Sequence, residues 1–331
     1  MRKLMLLTFL FAAVTSCDVF DTPEPVKLNG MAQGTYYSIT YYDDDRRDFS
    51  QEIDSLLSYF NTVASVYEPN SIISKINKNQ SYKLNSMFLD IYTKGMEVAR
   101  MTDGRFDMTV MPLVNAWGFG FTTRQKLDSA KVDSILQFVG YEKITLKDGR
   151  IIKEDPRIKL DFNSIAQGYS VDWLASYLES KGIEDYLVDI GGEVYARGKK
   201  PGGDYWKVGI KKPARNKNDA REIKEVVALK DQALATSGNY RKYYQKDGVR
   251  YSHTINPETG FPVKHSLLSV SVLAPEAVTA DAFATAFMVM GLKESKKFLK
   301  KNPDLDAYFI YSDRDGELKT WFTSGIRELL Y

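Results

Sequence analysis

In the stretch from Thr279 to Phe287, TADAFATAF, a carboxylate and a hydroxyl, Asp281 and Thr285, stand four residues apart among alanines and phenylalanines. On a helix that spacing puts both on one face. Carboxylate and hydroxyl oxygens are what a hard cation such as Mg2+ accepts, with waters and a substrate phosphate completing the shell. The competing reading is an acid near a helix N-terminus, complementing the dipole, with Thr279 as cap. On this stretch alone both readings stay open.

Three further clusters carry polar chemistry. In LDFNSIAQGYSVD, a strand ending in Asp161 turns through Asn163 and Ser164 toward a helix, whose N-terminal N–H groups suit a phosphate; Asp161 or Ser164 as a simple cap is the alternative. The chain has no G-x-G-x-x-G or G-x-x-x-x-G-K-[ST] there, so neither dinucleotide fingerprint nor P-loop is present. In ATSGNYRKYYQKDGVRYSHTINPETGFPV, His253 is one of two histidines and precedes a turn with Asn256, Pro257, Gly260 and Pro262. Histidine suits proton transfer near neutral pH, although a lone histidine with no visible partner in sequence is more often a satisfied structural residue. In TDGRFDMTVMPLVNAWGFG, Asn115, Trp117 and Phe119 lie in a glycine-containing loop where a planar ring could stack; core aromatics after a helix stop at Gly104 are the alternative. No H-E-x-x-H or C-x-x-C set supports zinc.

These clusters need a scaffold. With 331 residues, 44% hydrophobic and 13% aromatic, the chain has material for a large core. A formal charge of +2, with no basic stretch interleaved with aromatics, gives no sign of nucleic-acid binding. Helical spacing recurs in DFSQEIDSLLSYFNTVASVY, SMFLDIYTKGMEVARMTDG, DSAKVDSILQFVG and IAQGYSVDWLASYLESKG. KITLKDGRIIK carries a hairpin turn at Asp148-Gly149, and strands are predicted in YLVDIGGEVYARG, WKVGIKKP, EVVALKDQALATSG, LLSVSVLAP and AYFIYSDRDGELKTWF. Helices early and strands late, without βαβ alternation, predict an α+β single domain with largely antiparallel sheets packed against helices. No internal repeat or linker divides residues 28–331.

The N-terminal MRKLMLLTFLFAAVTSC has basic Arg2 and Lys3, an apolar run from Leu4 to Val14, and small residues leading to Cys17, the single cysteine. This is an export signal, and its apolar run is shorter than the roughly 20 residues that span a bilayer. VTSC resembles a bacterial lipobox, so residues 1–16 are expected to be a lipoprotein signal peptide, Cys17 the lipidated residue, and 17–27 a tether; an ordinary secretory signal is the alternative.

Taken in order, MAQGTYYSI, SVYEPNSIISKIN, DGRFDMTVMPLVNAWGFG, DFNSIAQGYSVD, VDIGGEVYARG, ATSGNYRKYY, SHTINPETGFP and TADAFATAF resemble the ApbE family of FAD:protein FMN transferases, from about Gly30 to near the C-terminus. The resemblance implies an ApbE (T-fold-like) architecture and a periplasm-facing, membrane-anchored enzyme. It would use FAD as substrate with Mg2+, transfer FMN to a Thr or Ser hydroxyl of an acceptor flavoprotein, and release AMP. Such an acceptor would be a subunit of a membrane redox complex or a secreted flavoprotein. It also implies FAD contacts at Met31, Tyr67, Asn115, Ala116, Trp117, Asp161, Gln167 and Ile255, and metal positions at Ser164, Asp281 and Thr285. His253 would activate the acceptor, with Asp281 beside it in catalysis. The family commonly has M-G-T and D-L-G-G-I-A-K-G-Y where this chain has Met31-Ala32-Gln33-Gly34-Thr35 and DFNSIAQGY. A FAD pyrophosphatase and a non-catalytic flavin-binding lipoprotein are the alternatives.

Overall fold

A computed structural model describes residues 23–331 except 124, 214–222, 240–242 and 247–248. The expected signal, Cys17 and most of the tether lie outside the described residues. The centre is an antiparallel sheet of eight strands: β1 (Val26–Ala32), β2 (Thr35–Tyr41), β5 (Tyr186–Ile190), β6 (Glu193–Arg197), β9 (Gln232–Gly238), β12 (Leu267–Ala274), β13 (Asp306–Ser312) and β14 (Leu318–Phe322), in that spatial order. Three further hairpins pair β3 (Ile144–Lys147) with β4 (Arg150–Lys153), β7 (Trp206–Lys211) with β8 (Ile223–Leu229), and β10 (Tyr243–Lys246) with β11 (Val249–Ser252). The helices are α1 (Ser50–Ala64), α2 (Ile72–Asn77), α3 (Ser86–Met101), α4 (Met111–Ala116), α5 (Ser129–Leu136), α6 (Ala166–Ser180), α7 (Ala277–Lys301) and α8 (Ser324–Arg327). The α+β antiparallel class holds. The early-helix, late-strand order does not, because a hairpin precedes every helix and α7, with 25 residues, follows β12.

Strand alternation sends side chains to two cores. Ala233 and Ala235 of β9, Val270 and Val272 of β12 and Phe309 of β13 face the main core, where α1, α3, α6 and α7 bury Phe60, Phe88, Leu174 and Phe287. The intervening Leu234, Leu273, Tyr308 and Ile310 face a second core covered by β7–β8 and Ile326 of α8. Both faces of the sheet are therefore covered over β6, β9, β12 and β13, whereas one face of the edge strand β1 stays open.

Helix α7 lies against β9, β12 and α6, and Ala280, Ala282, Ala284 and Ala286 are fully buried along it. Small side chains on several sides let one helix sit close to a sheet and a second helix at once. At Gly291 the backbone breaks (φ 72°, ψ 173°), and the ring of His265 stands there with Nε2 donating to the Met288 carbonyl at 2.7 Å.

Tight turns bring the sheet edge to α6. Gln33 (φ 51°) and Gly34 (φ 76°) close β1–β2 between the pair Ala32 and Thr35, as a two-residue hairpin of this hand requires. Gly191 and Gly192 close β5–β6 in the same way, and the Asp189 carboxylate accepts the Gly192 N–H at 2.8 Å.

Candidate active site

Asp281 is reached from α6. Its buried carboxylate accepts the Gly168 N–H at 3.0 Å, in the first turn of that helix. The approach requires glycine: a Cβ at Gly168 would stand 2.3 Å from the Ala277 carbonyl oxygen and 2.8 Å from the Asp281 Cβ. In return, Asp172 of α6 accepts the N–H groups of Ala277 and Val278, both at 2.8 Å, and so caps the start of α7. Each helix thus supplies the carboxylate that satisfies backbone donors of the other. Thr279 is not the cap; it lies inside α7 and its hydroxyl donates to Glu276 at 3.2 Å. Asp281 does serve a helix N-terminus, but that of α6.

The second Asp281 oxygen accepts no hydrogen bond from the described residues. Loss of solvation raises its pKa, with the nearby Asp172 adding to the effect and the Gly168 N–H opposing it. A carboxylate oxygen in a largely buried residue, left without a protein donor, suits a cation. Thr285, one turn on, is half-buried and shares a 3.3 Å hydroxyl contact with Ser237 at the end of β9. Asp161 likewise has one oxygen engaged, by the Asn163 N–H at 2.9 Å, and burial pushes its pKa up. Neither Asp161 nor Ser164 caps α6: the Ala166 N–H goes to the Phe162 carbonyl at 2.8 Å, and Ile165 at the N-cap position makes no side-chain bond. Asp161 and Ser164 stay in the loop leading into it, with chemistry unspent. This donor set is compatible with Mg2+, which takes few protein oxygens and keeps waters or substrate phosphate. Among the described residues no cluster of three His, Cys, Asp or Glu side chains forms a metal site.

Gln167 sits at the start of α6 against the β5–β6 turn; a Cβ on Gly191 would stand 2.6 Å from its Nε2 and 2.8 Å from Thr35. Met31 is 77% exposed on β1. Two residues on, Gln33 reaches α6, donating from Nε2 to the Ser170 hydroxyl at 2.5 Å, while its buried Oε1 has no donor. Gln33, Gly168 and Asp172 were not singled out by sequence. The motif Met-Ala-Gln-Gly-Thr held the signal for Gln33, whereas the capping partners are about a hundred residues apart.

The second half of the site is aromatic. Tyr67 is 67% exposed, and its ring lies 4.8 Å from that of Phe121, also exposed. Asn115 shapes this loop: its Oδ1 accepts the Phe121 N–H at 2.8 Å and its carbonyl accepts the Thr122 hydroxyl at 2.7 Å. Ala116 and Trp117 are buried, and Trp117 Nε1 donates to the Gly260 carbonyl at 2.8 Å, so its ring belongs to a small core with Leu113, Val132 and Ile255. The accessible flat surface is therefore Tyr67 and Phe121, not Trp117. Ile255 pairs with Pro262 in a tight loop, inside which Asn256 accepts the N–H groups of Glu258 and Thr259. Arg105 clamps that loop through Glu258, and reaches Glu294 of α7 at 3.6 Å. His253, half-buried at the head of the loop, stands edge-on to Phe119 with ring centroids 6.4 Å apart. The two halves are joined where the Asp161 N–H donates to the Met108 carbonyl at 2.7 Å, just before α4, and where Asn77 at the end of α2 brackets Leu160.

The ApbE family model matches residues 33–309. The chain belongs to the ApbE family. A FAD:protein FMN transferase of Vibrio cholerae is 35% identical, with 93% of each chain covered, and that of Escherichia coli K12 is 33% identical, with 99% of this chain and 97% of that one covered. Among solved structures, the flavin transferase ApbE from Vibrio cholerae superposes with a TM-score of 0.84 at 34% identity, covering 93% of this chain and all of that one. The Pseudomonas stutzeri flavinyl transferase ApbE, in its apo form, gives 0.84 at 29% identity, covering 93% and 97%. The resemblance read from eight motifs is thus met by similarity along nearly the whole of this ApbE chain.

Proposed function

We propose that this ApbE-family chain is a Mg2+-dependent FAD:protein FMN transferase that forms a phosphoester between FMN and a Thr or Ser hydroxyl of an acceptor protein, releasing AMP. The observation that carries the metal assignment is the buried Asp281 carboxylate, which has one oxygen held by Gly168 and the other without a donor among the described residues. Asp281, Thr285 and Ser164, the last through its backbone carbonyl, would hold the ion. When bound, Mg2+ supplies neutralisation of charge that builds on the pyrophosphate oxygens.

The chain's own residues do the rest. Tyr67 and Phe121 offer ring faces to the isoalloxazine, with Asn115 holding the loop that carries Phe121. The start of α6 would offer the positive end of its dipole to the phosphates, while its Ala166 and Gly168 N–H groups stay engaged by the Phe162 carbonyl and Asp281. Asp161, Gln167, Met31 and the backbone at Ala116, Trp117 and Ile255 complete the FAD contacts. The acceptor hydroxyl attacks the FMN phosphorus in line with departing AMP. An aliphatic hydroxyl requires a base, and His253 takes that proton.

The anchoring expectation belongs to the same proposal. Arg2, Lys3, the apolar run and VTSC support lipidation at Cys17, which would hold residues 28–331 at the periplasmic face of a membrane by way of the 17–27 tether. No helix among the described residues is long and apolar enough to cross a membrane. The acceptor would be a membrane redox subunit or a secreted flavoprotein.

The test is Asp281→Ala. AMP release from FAD should lose its Mg2+ dependence and fall at least 100-fold while circular dichroism stays that of the folded chain. Full Mg2+-dependent activity would remove Asp281 from the metal site.

A further inference from the structure

The two helices that meet at Asp281 are locked by an exchange of carboxylates, and only one of the two carboxylates is assigned a role above. Asp172 lies on α6, six residues beyond the start of that helix, and its two oxygens accept the Ala277 and Val278 N–H groups at 2.8 Å each. α7 has no cap of its own: Glu276, at its N-cap position, makes no side-chain capping bond and instead pairs with Lys94. The first turn of α7 is therefore oriented by α6, and Asp281 sits one turn further along. The same helix pair is fixed from the other side by Gly168, whose N–H holds Asp281 and whose missing side chain lets the Ala277 carbonyl approach.

We propose that Asp172 is a positioning residue for the metal site: by capping α7 from α6, it sets where the free oxygen of Asp281 stands relative to Thr285 and the loop bearing Asp161 and Ser164. The inference rests on the reading of Asp281 as a metal ligand. The physical reason is that Mg2+ tolerates little deviation from octahedral geometry, so a small change in helix placement is felt in ion affinity before it is felt in the fold. A bidentate acceptor on two consecutive N–H groups fixes both the axial position and the rotation of a helix start, which a single bond does not. Asp172 touches neither substrate nor ion in this account.

The test compares Asp172→Ala, Asp172→Asn, Asp281→Ala and the double variant Asp172→Ala/Glu276→Ser, which gives α7 a cap of its own. The readouts are Mn2+ binding by electron paramagnetic resonance in the presence of FAD, the Mg2+ concentration for half-maximal AMP release, the KM for FAD, and the melting temperature. Asp172→Ala should weaken Mn2+ binding and raise the Mg2+ requirement about tenfold or more, with the KM for FAD at saturating Mg2+ changed less than threefold. Asp172→Asn, which keeps one acceptor oxygen, should fall between it and the parent, and serves in its place if the alanine variant does not fold. The double variant should recover melting temperature without recovering ion affinity. Unchanged Mn2+ affinity in Asp172→Ala or Asp172→Asn overturns the proposal. So does recovery of both properties in the double variant, because Asp172 would then be a helix cap and nothing more. If Asp281→Ala keeps parental Mn2+ binding, the metal reading fails independently of what Asp172 does.

Discussion

Replacing Gly168 by alanine should separate stability from activity. The added methyl would stand 2.3 Å from the Ala277 carbonyl oxygen and 2.8 Å from the Asp281 Cβ. Comfortable contacts are roughly 3.5–4.0 Å, so α6 and α7 must move apart by about 1 Å. Overpacking of this kind costs about 1–3 kcal/mol, and alanine returns up to about 1 kcal/mol of helix propensity. The net cost is then about 0–3 kcal/mol, a fall in melting temperature of at most about 10 degrees for a domain of this size. The same 1 Å shift carries Asp281 away from the α6 N-terminus, and misplacement on that scale costs on the order of 100-fold in rate. Melting curves without metal, together with AMP release from FAD across a Mg2+ titration, measure both. A variant with the parental rate, or one whose loss of rate is accounted for by its unfolded fraction, would refute the close-approach reasoning.

Two further outcomes are expected. His253→Ala should keep FAD binding within a few-fold while FMN transfer falls about 100-fold to 10,000-fold, the range for loss of a general base; equal loss of binding and transfer would make the residue structural. Burial pushes the Asp107 carboxyl up to about 6, against Thr109 and Tyr141 donors that favour the charged form. The native state therefore holds this proton more tightly than the unfolded chain, so the contribution is complete below about pH 4 and lost as pH rises through 6. It amounts to on the order of 3 kcal/mol. Melting temperature without metal should carry that slope, and Asp107→Asn should flatten it between pH 4 and 7; an unchanged slope would contradict the assignment.

What could be read from sequence followed local signals. The Asp148-Gly149 turn pairs Lys147 with Arg150 as expected, and the spacing of Ile53, Leu57, Phe60 and Val63 gives the buried face of α1. The stop at Gly104 is a left-handed glycine whose N–H returns to the Ala99 carbonyl at 2.8 Å. The β1–β2 hairpin escaped notice because its turn is Gln33-Gly34, without the Asn or Asp that usually announces two left-handed residues. Trp117 offered a stacking surface on paper, but its indole N–H finds the Gly260 carbonyl 143 residues away, and no local pattern encodes that pairing. For the same reason Asp281 and Thr285 were visible as a helical pair, while the exchange of caps with Gly168 and Asp172 was not. The alanines of TADAFATAF, at 280, 282, 284 and 286, are fully buried along α7, which lies against the sheet and α6, a packing role that the local pattern does not announce.

The central claim is transfer to a protein hydroxyl. The direct measurement is the intact mass of a candidate acceptor domain after incubation with this chain, FAD and Mg2+, read beside the AMP released. The account predicts an acceptor heavier by one FMN residue, abolished when the target Thr or Ser is replaced by Ala, with one AMP per modified acceptor. Free FMN and AMP accumulating beside an unmodified acceptor would instead make this chain a pyrophosphatase, and bound flavin with no AMP under any metal condition would make it a carrier.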